Sequence, residues 1–235
     1  MKINYYLAFL ILGMSINAFS QNSYWLGQEV NLKNLETRKD SFHMIQNNKV
    51  VGYWIWETQM NDKEIIFKDV SVLTDLVNEE FILKLDRQKL NTTNIDMILS
   101  TSKNKLKVDL SRTTSKDLKA NYNLNGNSKI IDSTFAKNVI LRPAIFGLLH
   151  TILDYKSLDE SIETFFLSSG KFATMQLKYI GEEEVMVATG KFSTYKLSFE
   201  GKNQLSNIIY IKKEFPRRIV KVELIGQPLT IELVN

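Results

Sequence analysis

The sequence predicts a mainly β protein: one antiparallel curved sheet forming a barrel or half-barrel, with a central buried helix near residues 143–156. Three observations point there. Apolar and polar residues alternate in one segment after another, as they do in sheets with one buried face. Short turn-forming clusters separate these segments. A single stretch after Pro143 is instead apolar around most of a helical circumference.

The first twenty residues, MKINYYLAFLILGMSINAFS, read as a signal peptide. Lys2 supplies a positive start, Tyr5 to Gly13 an apolar run, and Ala18-Phe19-Ser20 the small residues that a peptidase reads, so cleavage is expected near Ser20/Gln21. The run is shorter than the roughly 20 apolar residues that span a bilayer. The chain has no cysteine, so it has no lipobox and no disulfide. A periplasmic or secreted protein, soluble and not membrane-spanning after cleavage, is the expectation. Residues 21–36 form a lead-in segment, either a cap or poorly ordered, and residues 37–235 a single β-barrel-like domain.

Phe42 to Ile45 and Val50 to Met60 flank the turn Gln46-Asn47-Asn48-Lys49 and predict a hairpin. Glu64 to Thr74 follows, then Glu80 to Asp86 with Phe81, Leu83 and Leu85 on one face. Ile95 to Thr101 and Lys105 to Leu110 flank Ser102-Lys103-Asn104. Leu118 to Leu124 alternates cleanly and turns at Asn125-Gly126-Asn127 into Ser128 to Ser133. Pro143 suits the first turn of the helix, which is expected to end near Lys156. Ser157 to Ser169 is ambiguous, with Asp159 to Ser161 reading as a further helical turn and Glu163 to Leu167 as a strand. Strands then resume at Lys171 to Ile180, Glu184 to Ala188, Gly190 to Glu200, Asn207 to Lys212, Arg217 to Ile225 and Leu229 to Val234.

In this second half Tyr179-Ile180-Gly181-Glu182-Glu183-Glu184-Val185 leads into Gly190-Lys191-Phe192-Ser193-Thr194-Tyr195-Lys196-Leu197. Tyr210 and Phe215-Pro216-Arg217-Arg218-Ile219-Val220-Lys221-Val222-Glu223 follow. The order of a G-x-F-x-x-Y-K-L strand, an aromatic strand and a P-x-R-x-V-K strand resembles the exported bacterial β-barrel proteins grouped as a domain of unknown function. Val51-Gly52 resembles that family's first hairpin, and the likeness runs from about Thr37 to Val234. It is similar more widely to the periplasmic carriers of lipoproteins and lipids, curved sheets closed on one side by helices. The resemblance implies such a fold and an apolar ligand, and it carries no catalytic residue. Trp54 and Trp56 stand where smaller residues are expected, which implies a different groove.

Several chemistries find no support. The net charge of +4 is spread among alternating lysines and acids, a mixed surface and no nucleic-acid stripe. His43 and His150 are the only histidines, and with no cysteine they fall short of a four-ligand zinc site. There is no Gly-x-Ser-x-Gly elbow. His150 and Asp154, four apart, offer a triad fragment or simply a helix-surface hydrogen bond, and His150 reads as a partly buried, satisfied ring. Glu182, Glu183 and Glu184 read as a charged hairpin edge. Arg217-Arg218 reads as a small basic surface spot. No cofactor, no metal and no enzymatic activity are expected.

The aromatic residues carry the functional expectation. In Tyr53-Trp54-Ile55-Trp56 the two tryptophans share one face of a strand. They read as ordinary core or as the wall of an apolar cleft, completed by Phe146, Leu149 and Phe166 from the helical region. A non-enzymatic extracytoplasmic binding protein is expected, taking an apolar ligand, lipid or lipidated partner. The alternatives are an envelope assembly or structural protein that holds another envelope protein and, at lower weight, a hydrolase.

Overall fold

Strands with one apolar face, joined hairpin to hairpin, can bury all of those faces together only if the sheet curls. A computed structural model, which describes residues 23–235, shows this arrangement. The predicted signal peptide, residues 1–20, lies outside the described residues.

A small hairpin of β1 (Ser23–Trp25) and β2 (Gln28–Val30) comes first. One limb of the main sheet is a meander of β3 (Arg38–Gln46), β4 (Lys49–Met60), β5 (Glu64–Leu73), β6 (Val77–Asp86), β7 (Thr92–Ser100), β8 (Lys105–Ser111), β9 (Asp117–Leu124) and β10 (Asn127–Thr134). Then come β11 (Val139–Leu141) and the helix α1 (Arg142–Leu148). The other limb is β12 (Asp159–Phe166), β13 (Lys171–Val187), β14 (Gly190–Glu200), β15 (Asn207–Lys212), β16 (Ile219–Leu224) and β17 (Leu229–Leu233). Pairing of β17 with β3 joins the limbs into a fifteen-stranded sheet with β10 at one edge and β11 at the other. Its pairings are antiparallel except that of β11 with β12.

The two edges approach each other without forming a ladder, so hydrogen bonds do not close the barrel. Phe135, just after β10, packs on Phe172 of β13 with ring centroids 4.6 Å apart, and Phe172 packs on Phe165 of β12 at 4.7 Å. Arg112 donates to the carbonyls of Asp117 (2.8 Å) and Val139 (2.7 Å), and the Val139 N–H donates to Ser115 at 3.0 Å. A buried guanidinium that satisfies carbonyls on both sides of a seam holds it as a ladder otherwise would.

Helix α1 lies inside the shell, with Ala144, Ile145 and Leu148 buried. Gly147 has no side chain because the ring of Phe67 on β5 occupies that space. The β1–β2 hairpin reaches the chain leaving the helix, where Val30 bridges Ile152, so residues 23–34 are an ordered cap.

The structure corrects several expectations. The helix ends at Leu148 with one further 3₁₀ turn, Leu149–Thr151, well short of Lys156. The Thr151 hydroxyl caps the Leu148 carbonyl at 2.6 Å, and Ile152 turns extended to meet Val30. Asp159 to Ser161 belong to strand β12 and not to a helical turn. The segments Lys171 to Ile180 and Glu184 to Ala188 are one strand, β13, which a bulge at Gly181 (φ 145°) bends without ending. Strand β11 is too short to show a pattern in the sequence. Tyr53 and Ile55 turn outward, Tyr53 exposed, so no second layer sandwiches β4.

Candidate functional site

Cross-strand register builds the site. On β3 to β6, Phe42 stands opposite Trp54, Trp54 opposite Ser71, and Ser71 opposite Glu79. One step along, Trp56 stands opposite Asp69, and Asp69 opposite Phe81. Both rows point into the shell, because period two carries the buried face of Ile65 and Phe67 on to Asp69 and Ser71. Trp54 stacks on Phe42 at 4.5 Å and meets Trp56 edge-on at 5.6 Å. Trp56 leans on Phe67 at 5.3 Å and on Phe81 at 5.8 Å.

This wall faces a cleft of about 210 Å³ at one end of the shell. Arg142, Pro143 and Phe146 of α1 form its floor, Phe166 to Ser168 one side, and Leu205, Asn207, Val222 and Leu224 the far limb. Four of the five predicted residues, Trp54, Trp56, Phe146 and Phe166, therefore line one cavity. Leu149 does not. It is 0% exposed in the core behind the helix, because the 3₁₀ turn rotates it away from the face that Phe146 presents.

Sequence reasoning missed the polar residues of the cleft. The Asp69 carboxylate accepts the Trp54 indole N–H and, at 3.0 Å, the Ser71 hydroxyl. Burial first, and the charge of Glu79 second, push its pKa from 3.8 up to about 8, against the pull of those two hydrogen bonds. Burial likewise raises Glu79, opposed by the charge of Arg142, and lowers Arg142, opposed by Glu79. Arg142 donates to Asn207 Oδ1 at 2.7 Å and lies over the Phe146 ring at 5.4 Å, while its Nε is buried with no hydrogen-bond partner. The signal for the two acids was parity: Asp69 follows Ile65 and Phe67, and Glu79 precedes Phe81, Leu83 and Leu85, on the apolar side of their strands.

Asp69 has a measurable consequence. At pH values below 3.8 folded and unfolded chains both hold its proton, and between 3.8 and about 8 only the folded chain does. The stability that this proton confers is lost steadily as pH rises through that window, and the loss is complete above it. Asp69→Asn is expected to be more stable than wild type in alkaline buffer, with the gap closing toward acid. Denaturant titrations across pH check this, and parallel curves for the two proteins would refute it.

The remaining candidates lie elsewhere. His150 is 2% exposed, both ring nitrogens lack a partner, and burial, then the charge of Arg38, hold it well below 6.5. It is therefore a neutral core residue whose ring is unsatisfied, contrary to expectation. Asp154 is past the helix and exposed, so the two do not share a helical face. Arg217 is buried, not a surface residue. Glu182, Glu183 and Glu184 each pair with a lysine on the β13 flank beyond the reach of β12. A wider recess of about 620 Å³ lies under the β1–β2 hairpin, with Lys89, Thr113, Lys137 and Glu163 on its lining. The smaller cleft is the better site, because its wall is aromatic and polar groups with displaced pKa values converge on it. Among the described residues no helix is long and apolar enough to cross a membrane.

No protein-family model matches the sequence, and no curated protein is similar to it. Among solved structures, the chain is similar to a β-barrel-like protein of the domain of unknown function DUF1849 from Brucella abortus. The TM-score is 0.54 at 8% identity, over 84% of this chain and 95% of that one. This likeness is one of fold, and it agrees with the barrel-like architecture and with the resemblance drawn from the strand motifs.

Proposed function

We propose that this protein is a non-enzymatic extracytoplasmic binding protein whose cleft takes up an apolar ligand, a lipid fragment or the acyl chain of a lipidated partner. The observation that carries the reading is the convergence of Trp54, Trp56, Phe146 and Phe166 on one open cavity inside the shell. An apolar void of about 150 Å³ holds a benzene-sized guest, so 210 Å³ encloses one ring or about six methylenes, with the rest of a larger ring system or longer single chain extending through the open mouth, and is too small for a two-chain lipid. Burying about six methylenes is worth roughly 5 kcal/mol before the cost of association, so affinities weaker than micromolar are expected. The extracytoplasmic part rests on the signal-like residues 1–20.

The test is titration with a propionyl-dimethylaminonaphthalene dye, whose emission shifts to the blue in apolar surroundings. Saturable binding, competed by short-chain amphiphiles and abolished in Leu205→Lys at the cleft mouth, is expected. Absence of saturable binding, and of any lipid in organic extracts of protein from its own envelope, would sink the reading. One observation favours the assembly alternative: β10 ends the sheet, and its Ile130 is 65% exposed, as a strand-adding partner requires. Cross-linking from position 130 to one defined protein would support that alternative.

A further inference from the structure

The cleft has three ionisable side chains on its lining, Asp69, Glu79 and Arg142. Asp69 is already engaged by Trp54 and Ser71. Glu79 feels Arg142 as its charge neighbour, and Arg142 feels Glu79 as its own. The two offset each other across the cleft, but no direct bond joins them. The Glu79 carboxylate is half-buried on the lining, whereas Arg142 Nε is a buried donor without an acceptor. A buried donor left in this state costs free energy until a guest satisfies it. Arg142 needs an acceptor, and Glu79, on the same lining, can accept from a donor.

We propose that the occupant of the cleft is a single-chain amphiphile whose uncharged head, an amide or a hydroxyl, donates to Glu79 and accepts from Arg142. This rests on the apolar-ligand reading above and narrows it. A carboxylate head would satisfy Arg142 but set two like charges together beside Glu79. An ammonium head would do the reverse at Arg142. Either would leave one uncompensated charge in largely apolar surroundings, where such charges are costly. A neutral head leaves the balance of the pair intact, and its chain runs along Trp54, Trp56 and Phe146. In neutral buffer Asp69, with its pKa near 8, still largely keeps its proton and adds little charge.

The test is competition against the naphthalene dye by decanamide, decanoate and decylammonium in such a buffer, first with the unmodified protein. Decanamide is expected to bind about tenfold tighter than either charged analogue, a difference of about 1.4 kcal/mol. Glu79→Gln is expected to shift the preference toward decanoate, and Arg142→Gln toward decylammonium. A charged analogue that matches decanamide in the unmodified protein would overturn the assignment of the head, as would an order unchanged in both variants. Dye binding would in that case leave the apolar-ligand reading standing. If neither the dye nor any of the three amphiphiles binds, that reading falls, and the head assignment falls with it.

Discussion

Arg217→Ala is expected to cost about 4 kcal/mol of stability and, in a domain of this size, to lower the thermal midpoint by about 8–16 °C. Arg217 is 6% exposed. Its guanidinium donates to the Ile152 carbonyl and, at 3.4 Å, to those of Leu153 and Lys213. It lies over the rings of Phe215 (4.5 Å), Tyr155 (5.1 Å) and Tyr195 (5.4 Å). Tyr155 in turn stacks on Tyr195 and donates to the Leu149 carbonyl at 2.8 Å. Charge-assisted hydrogen bonds are worth about 1.5–3 kcal/mol, and desolvated cation–π contacts about 2. Removing the side chain also leaves buried carbonyls bare. The bonds fasten the chain leaving α1 to the β15–β16 loop and so hold the floor of the cleft in place. Arg217→Lys keeps the charge but not the planar fork and is expected to recover less than half of the loss. Calorimetry of the three proteins checks this, and a shift of only a degree or two for alanine would refute it.

The second large effect is expected at Gly147. A Cβ there would stand 2.7–2.8 Å from two carbons of the Phe67 ring, and Phe67 is itself fully buried against Trp56. Overpacking of this kind costs about 1–3 kcal/mol, occasionally more, whereas the gain in helix propensity of valine over glycine is only about 0.4. Gly147→Val is expected to lose about 3 kcal/mol in denaturant titrations. The ring of Phe67 leans on Trp56 at 5.3 Å, so its displacement presses on the cleft wall and dye affinity should fall along with stability. A stable Gly147→Val protein with unchanged dye binding would show that the helix does not seat against β5 as described.

Alternation made most of the strands legible, since half-buried strands announce themselves in any sequence. The barrel-like curl was legible as a class, but the means of closing it was not. Arg112 acts on carbonyls of Ser115, Asp117 and Val139, and only the fold brings the last of these within reach. Arg217 misled for the same reason: beside Arg218 it looks like a basic spot, while Tyr155 and Tyr195, which bury it, come from distant elements. Trp54, Trp56 and Phe146 could be read because β4 is apolar on its inward face and α1 is apolar nearly all round, while Phe166 stands on β12 and not in the helical region where it was expected. Leu149 could not be separated from Phe146 without knowing where the helix tightens into a 3₁₀ turn. The acids were readable by parity, whereas the Glu79–Arg142 relation depends on where the helix sits inside the shell.

The claim that an apolar chain enters beside Trp54 and Trp56 is tested most directly by heavy-atom quenching. The chain has three tryptophans. In a Trp25→Phe background the remaining two are those of the cleft wall. A decanamide brominated near the end of its chain is expected to quench their emission saturably, with the same midpoint at which it displaces the dye. Displacement of the dye without quenching, or quenching that rises linearly and never saturates, would contradict the account.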